Sequence, residues 1–297
     1  MSTSTFRTAA IIGNGADERV RKPMRSLVQY LRGAGVETLI ADDNPLPLEA
    51  TAMPLAALAE HADVMIAIGG DGTLLGAAAH AVQHDVPLLG INRGRLGFLT
   101  DVKPKSMEHS IGAVLGGDYS VSRRSLLRAE LEADGARRPL GHALNDIVVA
   151  RHDPGRMIDF VTYVDDRFVN EHSGDGLIAA TPTGSTAYAL SCSGPILHPD
   201  LDAVALVPIC PHTLSDRPIV VPGSAAIRIE LTAGSGIDGE IICDGQALGT
   251  LTRDASLHVA TAERHLTLLH PPGHDYFELL RSKLNWGRSE RRARAKR

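Results

Sequence analysis

The chain has 297 residues, 43% of them hydrophobic, enough to bury a sizeable core and to form two domains. No apolar run approaches the roughly 18 residues of a membrane helix, no leader precedes the first apolar segment, and Cys192, Cys210 and Cys243 share no framework spacing, so a cytoplasmic protein without a membrane anchor is expected. The net charge of −5 is uneven: residues 288–297 hold six of the 30 basic and one of the 35 acidic residues, leaving 24 and 34, a body of −10 that suits no nucleic acid.

The first third alternates strands and helices. Thr8 to Ile12 reads as a strand closed by Gly13-Asn14-Gly15, and Asp17 to Arg32 as a helix with Val20, Met24, Leu27, Val28 and Leu31 at helical spacing. Strand 36–41, a proline-rich loop 42–54 and a short helical piece 55–62 follow, then strand 64–68, a glycine turn, a helix 73–84 capped by Thr73, and strand 86–91. Such alternation predicts an open parallel sheet, in which ligands gather at the carboxyl ends of strands. The turn Gly69-Gly70-Asp71-Gly72 stands at such an end. Its glycines leave room for a phosphate beside the free amides of a helix start, and its lone carboxylate could accept a proton or hold a metal. Gly-Asp-Gly also forms ordinary hairpin turns.

The loop from Asn92 to Thr100 carries two arginines and leads to a helix over 104–115. Beyond Gly116-Gly117 come short β-like runs: 125–133, 143–150, 158–164, 177–180, 203–209, 219–221, 225–231, 240–243 and 256–260. The expected organisation is an α/β domain over 1–118, a mostly-β sandwich over 119–272, a terminal helix within 273–287 packing back on the first domain, and a disordered basic tail over 288–297.

Within the β domain, Asn145-Asp146 interrupts a strand with side chains able to grip vicinal hydroxyls or to form a bulge. Gly174-Asp175-Gly176 leads through an apolar run into Thr181 to Ser191, where six hydroxyls fall in eleven residues, a density suited to a polar pocket. Pro211-His212-Thr213-Leu214-Ser215 and Cys243-Asp244-Gly245-Gln246 close two further strands and could be plain turns. Walker and Rossmann glycine patterns are absent, and His80 and His84 lack the third ligand of a metal motif.

In this order, Gly69 to Thr73, Gly90 to Thr100, Asn145-Asp146, Asp175 to Ser191 and Pro211 to Ser215 resemble the NAD kinases of bacteria along nearly the whole chain. The resemblance implies transfer of the ATP γ-phosphoryl to the 2′-hydroxyl of the adenosine ribose of NAD, with a divalent metal such as Mg2+, on an α/β plus β fold assembled as a homodimer or homotetramer. It implies Asp71 as proton acceptor with Gly70 and Gly72 on the nucleotide. Asn145, Asp146 and Asp175 would contact NAD, and Thr186, Ala187, Tyr188, Ala189, Leu190 and Ser191 would surround adenine and ribose. His212, Gln246 and, more loosely, Arg156 complete the set. Many relatives carry an arginine just before the position of Asp175; here His172, Ser173 and Gly174 stand there, leaving phosphate charge to the metal, to amides and to His172. The glycine motif is shared with lipid kinases of the same superfamily, which is one rival reading, and a non-catalytic NAD(P) sensor is another.

Overall fold

The computed structural model describes residues 5–94, 97–153, 155–232 and 236–286. The tail 288–297, Arg95 and Leu96 lie outside the described residues. The chain forms two compact units, one built from the chain up to Ser122 together with the stretch from Thr267, the other from Arg123–Leu266.

In the first unit the order is β1 (Thr8–Gly13), α1 (Glu18–Gly33), β2 (Glu37–Ala41), β3 (Thr51–Met53), α2 (Leu58–His61), β4 (Val64–Gly69), α3 (Asp71–Gln83), β5 (Leu88–Asn92) and α4 (Met107–Leu115). The strands lie in the order β3-β2-β1-β4-β5, all parallel. Every residue of β4 and β5 is buried, as a parallel strand covered on both faces requires. Helix α1 is capped by the Asp17 carboxylate, which accepts from the Arg19 amide at 2.9 Å. It buries Val20, Met24, Leu27, Val28 and Leu31 in one cluster with Ile11, Ile66 and Ile68, and full burial of such a side chain contributes about 1.5–3 kcal/mol.

Strand order reverses between β1 and β4, so the loops that follow these two neighbours open the crevice where ligands of such sheets sit. Helix α3 begins earlier than the sequence suggests. Its cap is Gly70, whose carbonyl accepts from the amides of Thr73 and Leu74, and Asp71 occupies the first turn. Thr73 therefore caps nothing; its side chain lies over Gly69, where an added Cβ would stand 2.2 Å from the Thr73 hydroxyl.

The second unit contains most of β6 (Ser120–Ala133), then β7 (Ala136–Ala143), β8 (Asp146–Arg151), β9 (Ile158–Val164), β10 (Arg167–Gly174), β11 (Gly176–Ala180), the short α5 (Tyr188–Ser191), β12 (Ala203–Ile209), β13 (Ile219–Pro222), β14 (Ile227–Leu231), β15 (Gly239–Cys243), β16 (Gln246–Leu251) and most of β17 (Ala255–His270). The last helix, α6 (Tyr276–Leu284), belongs to the first unit, with Leu279 and Leu280 buried. Among the described residues one antiparallel sheet runs β13-β12-β11-β8-β15-β16, and a second contains β10-β9-β14-β17 with β6 beside β17 and β7 beside β6. Ile147, Val149, Leu177, Ala179 and Phe160 share the apolar layer between them. The alternate side chains Val148, Ile178 and Ala180 face a separate cluster closed by Ala189 of α5 and Leu197.

Strands β7, β10 and β16 were not expected from sequence. All three are largely exposed and held by pairing rather than by an apolar face. Asn145-Asp146 does not interrupt a strand: β7 ends at Ala143 and β8 starts at Asp146, so Leu144 and Asn145 make the turn and Asp146 opens the next strand.

Candidate functional site

In the first unit everything converges on Asp71. Its Oδ2 accepts from the Phe98 amide at 2.8 Å, and its Oδ1 accepts from the Leu99 amide at 3.1 Å and the Thr100 hydroxyl at 3.2 Å. The approach depends on Gly97: a Cβ there would lie 1.9 Å from Asp71 Oδ1 and 2.3 Å from Thr100 Oγ1. These donors use three of the roughly four acceptor positions of a carboxylate, which fixes the group in one orientation and leaves it room for one more partner. Gly70 and Gly72 have nothing within 4 Å of a built Cβ, so the turn offers open backbone on that side. Nearby on the same unit, Arg93 is drawn into an ion pair with Asp17 at 2.8 Å.

In the second unit the organiser is Asp244, which the sequence offered only as part of a possible turn. It sits at φ 47° in the β15–β16 hairpin. Its carboxylate accepts from the amides of Leu144 (2.7 Å), Asn145 (2.8 Å) and Asp146 (3.2 Å). The Thr181 turn closes on the same residues: the Thr181 amide donates to the Asn145 carbonyl at 2.9 Å, its hydroxyl to the Leu144 carbonyl at 2.6 Å, and Gly184 packs so close that a Cβ would fall 2.0 Å from the Asn145 oxygen. Two separate motifs are thereby joined into one rigid feature. Asp146 is only 6% exposed. Burial, reinforced by the nearby Asp244 carboxylate, pushes its acid up to about 7, and burial raises Asp244 also, against the three amides that lower it. A carboxyl group poised near neutrality can both donate to and accept from a sugar hydroxyl.

Asp175 stands at the far end of the same ladder, since Gly176 pairs with Ala150 while Ala180 pairs with Asp146. Five strand steps separate Arg151 from Asp146, roughly 17 Å. The glycines flanking Asp175 are dictated by crowding: a Cβ at Gly176, φ +151°, would lie 2.0 Å from the Val149 oxygen, and one at Gly174 2.9 Å from the Ile209 oxygen. Asp175 is paired with Arg151 Nε at 3.0 Å. The arginine absent from the sequence neighbourhood of Asp175 thus has a counterpart on β8, invisible to a linear reading because it comes from another strand.

Two hydroxyls of the hydroxyl-rich run are engaged within the fold. Ser185 donates to the Pro182 carbonyl and accepts from the Leu197 amide, and Thr186 donates to the Thr183 carbonyl. Ala189 is wholly buried, while Ala187 and Leu190 are half-buried and Tyr188 is 46% exposed. Burial raises the Tyr188 phenol, helped by the Cys192 and Cys210 thiols and by Asp175. Ser191, His212, Gln246 and Arg156 are exposed; the His212 amide is tied to the Ser173 carbonyl at 2.8 Å. His172, to which the sequence assigned part of the phosphate charge, is buried, stacked on Phe160 and bonded to Asp216 at 2.9 Å.

Asp71 and the Asn145–Asp146 pair are carried by different units. The ATP-NAD kinase N-terminal domain matches residues 16–119 and the ATP-NAD kinase C-terminal domain residues 144–270. A protein named NAD kinase from Teredinibacter turnerae is 43% identical over 95% of this chain and 97% of its own. Among solved structures, an NAD kinase from Archaeoglobus fulgidus in complex with ATP aligns with a TM-score of 0.72 at 26% identity, covering 94% of this chain and 98% of that one. A yeast NADH kinase complexed with NADH aligns at 0.84 with 24% identity over 95% and 89% of the two chains, a likeness of fold. With both domain models matched and the relative similar from end to end, the chain belongs to the NAD kinase family.

Proposed function

We infer that this protein phosphorylates the 2′-hydroxyl of the adenosine ribose of NAD with ATP as donor, giving NADP and ADP. The observation that carries the reading is the fixed Asp71 carboxylate, held by Phe98, Leu99 and Thr100 at the start of α3 with one acceptor position to spare. In the reaction the ribose oxygen bonds to the γ-phosphorus, the bond to the β,γ-bridging oxygen breaks, and the hydroxyl proton passes to Asp71. The open backbone at Gly70 and Gly72 beside the α3 amides suits donor phosphates.

A divalent cation such as Mg2+ would be carried by the nucleotide phosphates, which leaves the spare acceptor position of Asp71 to the ribose hydroxyl. When bound, it would neutralise phosphate charge. In the second unit, Asn145 and Asp146 would grip ribose hydroxyls, Asp175 with Arg151 would meet the distal part of the dinucleotide, and Tyr188 would stack on a base. His212, Gln246, Arg156, Thr186 and Ser191 form the outer contacts. A homo-oligomer working in the cytoplasm accords with the family, and no described helix is long and apolar enough to cross a membrane.

The test is direct. Purified protein with ATP, Mg2+ and NAD should form NADP, and Asp71→Asn should retain NAD binding while turnover falls about 10²-fold or more. Near-normal turnover of Asp71→Asn would remove Asp71 from the role, and tight NAD binding without product in the unmodified protein would make it a sensor.

A further inference from the structure

Within the first unit, a second group of polar side chains is assembled from two distant pieces of chain. Asp101 follows the loop that holds Asp71. His270 ends β17, and His274 follows it after Pro271-Pro272-Gly273. Two prolines fix φ and Gly273 takes φ +87°, so the chain doubles back. The two imidazole rings stack with centroids 3.8 Å apart and planes 18° from parallel. The Nδ1 atoms of both rings lie 2.8 Å from the same Asp101 oxygen, Oδ2. All three donor atoms fall within 4.8 Å of one another.

Ordinary hydrogen bonding accounts for part of this cluster. A carboxylate placed only to receive two ring N–H groups would also satisfy its second oxygen, because a buried acceptor without a donor costs about 1–3 kcal/mol. Asp101 Oδ1 is buried and has no hydrogen-bond partner. His270 is only 3% exposed. A cation held among the two ring nitrogens and the carboxylate would give this sheltered carboxylate a partner beyond the two rings.

We propose that Asp101, His270 and His274 bind a divalent late first-row metal ion, of which Zn2+ is the type. The donor set of two imidazole nitrogens and one carboxylate oxygen is that of zinc and its neighbours; Mg2+ takes oxygen ligands almost alone. With bonds of about 2.0–2.1 Å, tetrahedral ligand atoms stand about 3.3 Å apart. The present 2.8 Å contacts need open by only about half an ångström. A cavity of about 340 Å³, bounded by Asp101, Ser106, Ser110, His274 and Glu278 among others, gives space for a water as fourth ligand. Asp275 is not a further ligand, because its Oδ1 caps α6 by accepting from the Glu278 amide at 2.9 Å. The ion would tie the turn before α6 to the loop 97–101. Since Thr100 of that loop donates to Asp71, occupancy would also steady Asp71, a consequence that rests on the proposed kinase reading, whereas the binding itself does not.

The experiment uses the full chain stripped with EDTA, titrated with Co2+ and then with Zn2+. Expected are the visible bands of tetrahedral Co2+ at one equivalent per chain, their displacement by Zn2+, and retention of both in the His80→Ala/His84→Ala double variant, which removes two histidines at the far end of α3. His274→Ala and Asp101→Asn should each lose the bands and weaken Zn2+ binding at least about 100-fold, the upper end of what losing a mere supporting partner costs. Melting in EDTA identical to that of the unmodified chain shows that the variants are folded; if His274→Ala is not, Asp101→Asn decides. Absence of one-equivalent binding, or bands that survive Asp101→Asn, overturns the site. NADP formation measured separately keeps this result independent of the kinase reading.

Discussion

Replacing Asp146 by Asn tests the electrostatics of the nucleotide grip. In the native protein the Asp146 acid titrates near 7, raised by burial and by Asp244 from an ordinary value of 3.8. The folded state therefore holds this proton more tightly than the unfolded chain. Its contribution to stability is fully present below about pH 4 and is lost as pH rises to about 7, after which it is flat. A rise of about three units at about 1.4 kcal/mol each amounts to about 4 kcal/mol. Asn keeps the shape and has no proton to lose, so the stability of Asp146→Asn relative to the unmodified protein should climb by about that amount between pH 4 and 7. The assay is urea unfolding of both proteins from pH 4 to 8, comparing the difference in unfolding free energy, which cancels groups common to both. A difference that stays level across this range would refute the account of Asp146 as a carboxyl raised by burial and by its neighbour. The KM for NAD should rise in the same variant, because the amide cannot exchange donor and acceptor roles.

Asp244→Asn leaves an acceptor for two of the three amides but turns an NH2 toward the third. At about 1.5–3 kcal/mol for a bond to a charged acceptor and a similar cost for the stranded amide, it should destabilise by about 3–6 kcal/mol, seen as a thermal transition about 6–20 °C lower. Gly184→Ala drives a Cβ into the Asn145 carbonyl, a backbone atom that cannot yield cheaply, and should raise the KM for NAD with a lowered melting temperature. Gly97→Ala presses on Asp71 and Thr100, so kcat for NADP formation should drop about tenfold or more while NAD affinity measured by calorimetry holds.

Much of the first unit is legible in the linear sequence because its elements announce themselves locally. Apolar spacing marks α1, unbroken apolar runs mark β4 and β5, and the glycines at 69, 70 and 72 mark a strand end with a carboxylate in it. Even there, the helix starts at Gly70 rather than Thr73, whose side chain packs over Gly69 instead of capping. Strands β7, β10 and β16 escaped because their stability comes from partners in the sheet, and exposed polar residues leave no periodic trace.

By itself, the sequence determined the alternation that builds the parallel sheet, the position of Asp71 at a strand end, and the run of motifs that places the chain among NAD kinases. Only the tertiary structure decided which residues serve those motifs. Asp244 binds amides 98 to 100 positions away, Arg151 reaches Asp175 from a neighbouring strand, and His270 meets Asp101 across 169 positions. Such partners leave no periodicity or spacing in the chain, because contact across a fold is set by strand pairing and packing. His172 illustrates the converse: adjacent to Asp175 in sequence, it is claimed by Phe160 and Asp216 once the strands are paired.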